Sequence, residues 1–172
     1  MPLFQLNHRQ IITVLLLMCI LAFTACGFQM RGVADLSFSK LYIQGPNISI
    51  AKDLKKLLKV NGVTVVSQPE QAELMLDLMS EDNEKRILSL SGGGLVREYE
   101  LFYRVNFRLR DPGSEVWGQT QRIEERRDFS YDDSQLLAKQ FEEARLIDDM
   151  KNDAIRELMR LLVVQKPRKA AE

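Results

Sequence analysis

The chain has 172 residues, in which 24 Lys+Arg are balanced by 24 Asp+Glu and histidine occurs once. A net charge of zero supplies no basic field to hold nucleic acid. The one histidine, His8, and both cysteines, Cys19 and Cys26, lie near the start, so Ser-His-Asp and Cys-His nucleophiles, and zinc or iron sites built on imidazole or thiolate, are excluded from the rest of the chain. No cofactor-binding motif is expected either: Gly92-Gly93-Gly94 lacks the Lys-Ser/Thr of a phosphate loop and reads as a turn.

Residues 10–25, QIITVLLLMCILAFTA, are apolar from Ile11 to Phe23 apart from Thr13. His8 and Arg9 precede the run, and the small residues Thr24 and Ala25 lead to Cys26. This order predicts a secretory signal peptide over 1–25, with Cys26 as the residue that a bacterial lipoprotein signal would present for diacylglycerol and palmitate attachment. An uncleaved anchor helix is the alternative, but the run is short of the about 20 residues that cross a bilayer. Glycine rather than aspartate at position 27 fits export to the outer membrane, and two or more acyl chains anchor stably. With Cys19 removed and Cys26 acylated no disulfide can form, so one domain over 26–164 must depend on its core.

LYIQ at 41–44 is a short strand that ends at Gly45-Pro46. Asn47-Ile48-Ser49 offers helix caps, and Ile50, Leu54, Leu57 and Leu58 then form one apolar stripe, with Lys52, Lys55, Lys56 and Lys59 on the other faces. Asn61-Gly62 stops that helix, and 63–66 is a β-branched strand, giving a β-α-β beginning. Leu74, Leu76 and Leu78 alternate with Met75, Asp77 and Met79 as a further strand. The charged residues 81–85 that follow fit a bulge, a turn or a bent continuation before Ile87, Leu88 and Leu90.

In REYELFYRVNFRLR, residues 97–110, Tyr99, Leu101, Tyr103, Val105, Phe107 and Leu109 are apolar, while the even positions other than Phe102 are polar. Strict alternation predicts a strand ~45 Å long with one face on a core and one face free. Asp111-Pro112-Gly113 turns the chain, and 116–129 returns as a partner strand with Trp117, Ile123 and Phe129 on one face. Asp132-Asp133-Ser134 caps a helix whose apolar positions Leu137, Phe141, Ala144, Ile147, Met150, Ala154, Leu158 and Leu161 step by three or four, ~40 Å of amphipathic helix. Residues 165–172 are expected to be a disordered tail. The fold class is therefore α+β: a two-layer sandwich in which two helices pack on one face of a mostly antiparallel four-stranded sheet, with room for one additional short strand.

ACGF.MRG around Cys26, REYEL opening the long strand, and DFSYDDSQLLAKQFEEARLIDDM entering the last helix resemble the LPS-assembly lipoprotein LptE family. Order, spacing and length agree over essentially all of 26–172. The resemblance implies a two-helix, four-stranded sandwich that plugs the lumen of an LptD-type outer-membrane β-barrel. It also implies help in inserting lipopolysaccharide into the outer leaflet and direct contact with that lipid, without catalysis. Facing the periplasm and the lumen, the free side of the long strand would present Phe102, Arg104, Asn106, Arg108 and Arg110 to the partner; an ordinary solvated sheet face would carry similar residues. Hairpin geometry gathers Arg97, Arg126, Arg127 and Lys139 near one tip, with Lys85 and Arg86 close by, and lipid A phosphates suit such a cluster. Lys139 lies on the Leu137-Ala138-Lys139 element matching the family, as a lipopolysaccharide contact or as an i,i+4 partner of Glu143. Other readings are a lipid-anchored periplasmic accessory protein of another envelope transport system and a carboxylate-pair glycan hydrolase.

Overall fold

The computed structural model describes residues 36–165 and, ahead of them, Arg9. The expected leader (Arg9 apart), Cys26 and the tail beyond Gln165 lie outside the described residues. Strand β1 (Lys40–Gln44) leads into helix α1 (Ser49–Val60), whose Ile50, Leu54 and Leu58 are wholly buried. Asn61 closes the helix: its backbone N–H donates to Leu57 O at 3.1 Å and its side-chain amide to the same carbonyl at 2.7 Å. Gly62, at φ +79°, then turns the chain into β2 (Thr64–Val66), which pairs parallel to β1. The start of α1 departs from the expected Asn or Ser cap. Ile48 occupies that position without a side-chain bond, and the carboxylate of Glu81 accepts the Ile50 N–H at 3.2 Å and the Ser49 hydroxyl at 2.5 Å.

The segment 74–90 is a single strand, β3 (Leu74–Leu90), with a register shift between Leu78 and Ser80. Before the shift the even positions Leu74, Leu76 and Leu78 are buried in the core. After it the odd positions Glu81, Asn83, Lys85 and Ile87 stand opposite Val105, Tyr103, Leu101 and Tyr99. One extra residue has moved the inward set from even to odd numbers. Strand β4 (Val96–Arg110) runs back antiparallel beside it, and β5 (Gln121–Ser130) follows. The expected partner strand at 116–129 therefore begins later. Trp117 belongs to the connecting loop and packs on the opposite face from Ile123 and Phe129.

The sheet has five strands in the order β2-β1-β3-β4-β5. It is a mixed sheet in which the additional short strand is present: β1 pairs parallel with both β2 and β3, while the long strands β3, β4 and β5 pair antiparallel. The parallel half follows from the β-α-β crossover, since a strand reached through a helix returns in the same direction. A 3₁₀ turn, Asp133–Gln135, capped by the Asp132 carboxylate on the Ser134 N–H at 2.9 Å, opens helix α2 (Leu136–Val163). Both helices cover the face that carries the odd residues of β4, and the core holds Leu101, Tyr103, Val105 and Phe107 against Leu54, Leu58, Met150 and Leu158. The apolar stripe of α2 meets this core only from its middle onward. Leu137 and Phe141 are 70% and 76% exposed, because the half-buried side of the first turns carries Lys139, Glu143 and Leu146 instead.

Gly45, at φ +121°, sits against the register shift: a Cβ built there would lie 2.0 Å from Leu78 O. No side-chain rotation relieves a clash with backbone. Gly45→Ala is expected to cost more than about 3 kcal/mol, a fall in melting temperature of about 10 °C or more in thermal circular dichroism. A variant melting with the parent chain would show that β1 and β3 do not meet in this way.

Candidate partner face and hairpin tip

Neither helix covers the even side of β4, where the strand's charged positions meet those of both neighbours. The Arg104 guanidinium donates to Glu84 at 2.6 Å and to Glu124 at 2.5 Å, with Asp82 at 3.6 Å, and its side chain is only 15% exposed. Asn106 donates to Ser80 at 2.8 Å and accepts from Arg122 at 3.0 Å. Arg108 pairs with Asp77 at 2.8 Å, Arg110 points two nitrogens at the Met75 sulfur, and Arg126 meets Glu100 at 2.5 Å. Two aromatic rings are clasped between these cations. Phe102 lies 4.7 Å from Arg86 and 4.6 Å from Arg104, and Trp117 lies 4.9 Å from both Arg108 and Arg110.

This corrects the expected exposure of Phe102, which is buried at 8% beneath its flanking guanidiniums. The face is also not a bare donor surface. Asp77, Asp82, Glu84, Glu100, Glu124 and Asp128 stand among Arg86, Arg104, Arg108, Arg110, Arg122 and Arg126, and four of these six arginines, Arg86, Arg104, Arg108 and Arg126, meet an acid directly. Arg86 grips Glu84 with two nitrogens at 2.6 and 2.8 Å while Arg104 holds it from the other side. These two cations, Arg86 foremost, depress the Glu84 carboxyl from the usual 4.5 to about 2. Arg86 and Arg104 are shifted upward in return, chiefly by Glu84. A face so arranged can meet a polar wall by sharing unused guanidinium N–H groups, each Arg having five.

At the other expected site the four cations divide. Lys139, 13% exposed, donates to Ser130 at 3.2 Å and to Glu142 at 2.8 Å, so its helical partner is at i+3 rather than Glu143 at i+4. Arg97 is exposed at the same end, where its carbonyl accepts the Tyr131 N–H at 2.7 Å; its side chain makes no ion pair among the described residues. Arg126 and Arg127, being successive strand residues, point to opposite faces. Arg126 joins the charged ladder, and Arg127 turns under α2 to Asp153 at 2.5 Å. Lys85 takes a place at the tip that alternation alone did not assign. Its ammonium meets Glu143 at 2.5 Å and stands 4.1 Å from the Tyr99 ring, with Phe129 and Tyr131 at 5.5 and 5.6 Å. The register shift in β3 puts it there. A cleft of about 400 Å³ opens beside it between Tyr131 and Leu136, and Leu88, Leu90, Leu95, Leu137 and Phe141 are exposed at this end of the molecule. Basic groups beside exposed apolar side chains suit an amphipathic anion.

Fold and site together define a two-layer α+β module with a charge-compensated sheet face and a tip both basic and apolar. A family model described as LptE, lipopolysaccharide-assembly, matches residues 38–162, and the chain belongs to that family. A curated relative, the LPS-assembly lipoprotein LptE of Photorhabdus laumondii, is 28% identical over 162 residues, covering 92% of this chain and 87% of that protein. Among solved structures, the uncharacterized lipoprotein B of Nitrosomonas europaea superimposes with TM-score 0.68 at 39% identity over 78% of this chain and 88% of that one. The rare lipoprotein B of Shewanella oneidensis gives 0.65 at 30% identity, over 72% and 92%.

Because the Glu84 pKa is lowered on folding, its ion pairs add stability that is complete above pH 4.5 and lost as pH falls toward about 2. Glu84→Gln is therefore expected to be less stable than the parent at neutral pH, and the gap should close through that acid window. Urea denaturation across the window measures it. A gap that does not change with pH would mean that Glu84 is not held by Arg86 and Arg104.

Proposed function

We propose that this chain is a non-catalytic, lipid-anchored subunit of lipopolysaccharide assembly in the outer membrane. It seats in the lumen of an LptD-type β-barrel and contacts lipopolysaccharide at the hairpin tip. The observation that carries the reading is a family match across almost the whole domain in a chain whose sheet leaves one face bare of its own helices. Barrel interiors are polar, and a ladder in which most arginines already hold an acid can line such a wall with few ions left to pair. The lipid on Cys26 would keep the module at the membrane where the barrel resides.

Affinity purification of the tagged chain from detergent-extracted outer membranes should bring down one large β-barrel in a fixed ratio. Recovery of the chain alone as a monomer would overturn the plug role.

Arg97→Glu with Lys139→Glu should weaken lipopolysaccharide binding at least tenfold while leaving circular dichroism and barrel recovery as in the parent. Each change reverses a charge beside the expected phosphates, and each residue lies outside the core. An unaltered titration would remove the tip as the lipid site.

A further inference from the structure

Helix α1 carries a charge pattern found on no other described element. Its buried Ile50, Leu54 and Leu58 define the side turned to the sheet. At 3.6 residues per turn, Lys52, Lys55, Lys56 and Lys59 fall within an arc of about 100° on the opposite side. All four are exposed. Lys56 meets Asp53 at 2.9 Å, but Asp53 is shared with Lys151 of α2 at 3.2 Å, and Lys52, Lys55 and Lys59 form no ion pair among the described residues. On α2, by contrast, Lys139, Lys151, Arg156 and Arg160 each pair with an acid three residues away. Like charges at three- and four-residue spacing repel and weaken the helix. An anionic surface would relieve them.

The position of the stripe says which surface. Thr64 N–H donates to Ser39 O at 2.8 Å, so the exit from α1, with exposed Lys59 and Val60, lies at the end where the chain enters β1 at Lys40, also exposed. Glu73 at that end is engaged by Ser39. From Cys26 to Lys40 the chain reaches at most ~50 Å. We propose that the lysine stripe of α1 docks on anionic phospholipid of the membrane that holds the Cys26 lipid, in the subunit before it meets its partner. This rests on the lipid-anchor part of the function proposed above. A tether of this length gives effective concentrations in the millimolar range, and each lysine near an anionic surface adds roughly fivefold, about a hundredfold for the three unpaired ones. Since the stripe points away from the sheet, docking leaves the charge-compensated face turned from the membrane and open to a partner.

The full acylated chain is reconstituted on phosphatidylcholine vesicles, with or without phosphatidylglycerol, and its lysines are footprinted with an amine-reactive label read by mass spectrometry. Lys52, Lys55 and Lys59 are expected to label several-fold less on the anionic vesicles, with Lys85 and Lys139 unchanged and the protection lost at high salt. In the Lys52→Glu, Lys55→Glu, Lys59→Glu variant, folded by circular dichroism, Lys56 should label alike on both vesicles. Equal labelling of the parent on both compositions would overturn the docking, as would equal protection by inorganic phosphate without vesicles. Failure to float with neutral vesicles would condemn the anchor alone, because the anionic-vesicle footprint still decides the stripe.

Discussion

One carboxylate joins the two halves of this fold. Glu81 lies just after the register shift in β3, and the shift is what turns it inward. There it accepts the Ser49 hydroxyl, the Ile50 N–H and, at 2.7 Å, the Tyr103 hydroxyl, so α1, β3 and β4 meet on a single side chain. Burial works against its charge, but the hydroxyls of Ser49 and Tyr103 and the backbone N–H groups more than offset it and hold the carboxyl below its usual range. Burial and the same carboxylate push the Tyr103 phenol far upward, which keeps it a donor. Hydrogen bonds to a charged group are worth about 1.5–3 kcal/mol each. Gly45 completes the junction from the other side by passing against Leu78 where no Cβ fits. The parallel β-α-β half and the antiparallel half are thereby locked in one register.

The same shift organises the outer face. Turning Glu81 inward turns Asp82, Glu84 and Arg86 outward, opposite Arg104, Phe102 and Glu100 of β4. The even side of β4 then carries Arg104, Arg108 and Arg110 beside the acids of its neighbours, and its one aromatic, Phe102, fills the space between two guanidiniums instead of meeting solvent. Exposed ion pairs are each worth little; a connected set shared among three strands fixes side-chain geometry before any partner arrives. That preorganisation lowers the ordering cost of an interface, which matters more for a module meeting a polar wall than raw charge does.

Much of this was legible in the residues because alternation is unbroken where the chain is regular. Strand β4, the β-α-β opening and the long last helix follow from period alone. What stayed hidden depends on single residues that break a period. The inserted residue at Leu78–Ser80 reverses parity, so the charged segment 81–85 could not be assigned a face, and neither the Glu81 cap nor the aromatic surroundings of Lys85 could be foreseen. Trp117 misleads for a similar reason: spacing by six from Ile123 implies a shared face only if the strand is continuous, and it begins at Gln121. Hairpin geometry brings Arg126 and Arg127 to one end of the strand but does not separate their faces, and adjacent strand residues diverge. The backbone contact between Tyr131 and Arg97 sets the end of the hairpin whatever the side chains do.

A chain of zero net charge has thus been divided into surfaces of unlike character. Across the sheet Arg86, Arg104, Arg108 and Arg126 each meet an acid, so their fields cancel within a few ångströms and their contacts must be short-ranged and geometric. Along α1 Lys52, Lys55 and Lys59 are left unmatched, so their field extends about a Debye length, ~8–10 Å, and asks only for negative charge, not for shape. Compensated charges suit a fitted partner, and uncompensated ones suit a fluid, laterally averaged surface. Because the stripe and the ladder point in opposite directions from one core, a membrane can hold the domain by the first without touching the second.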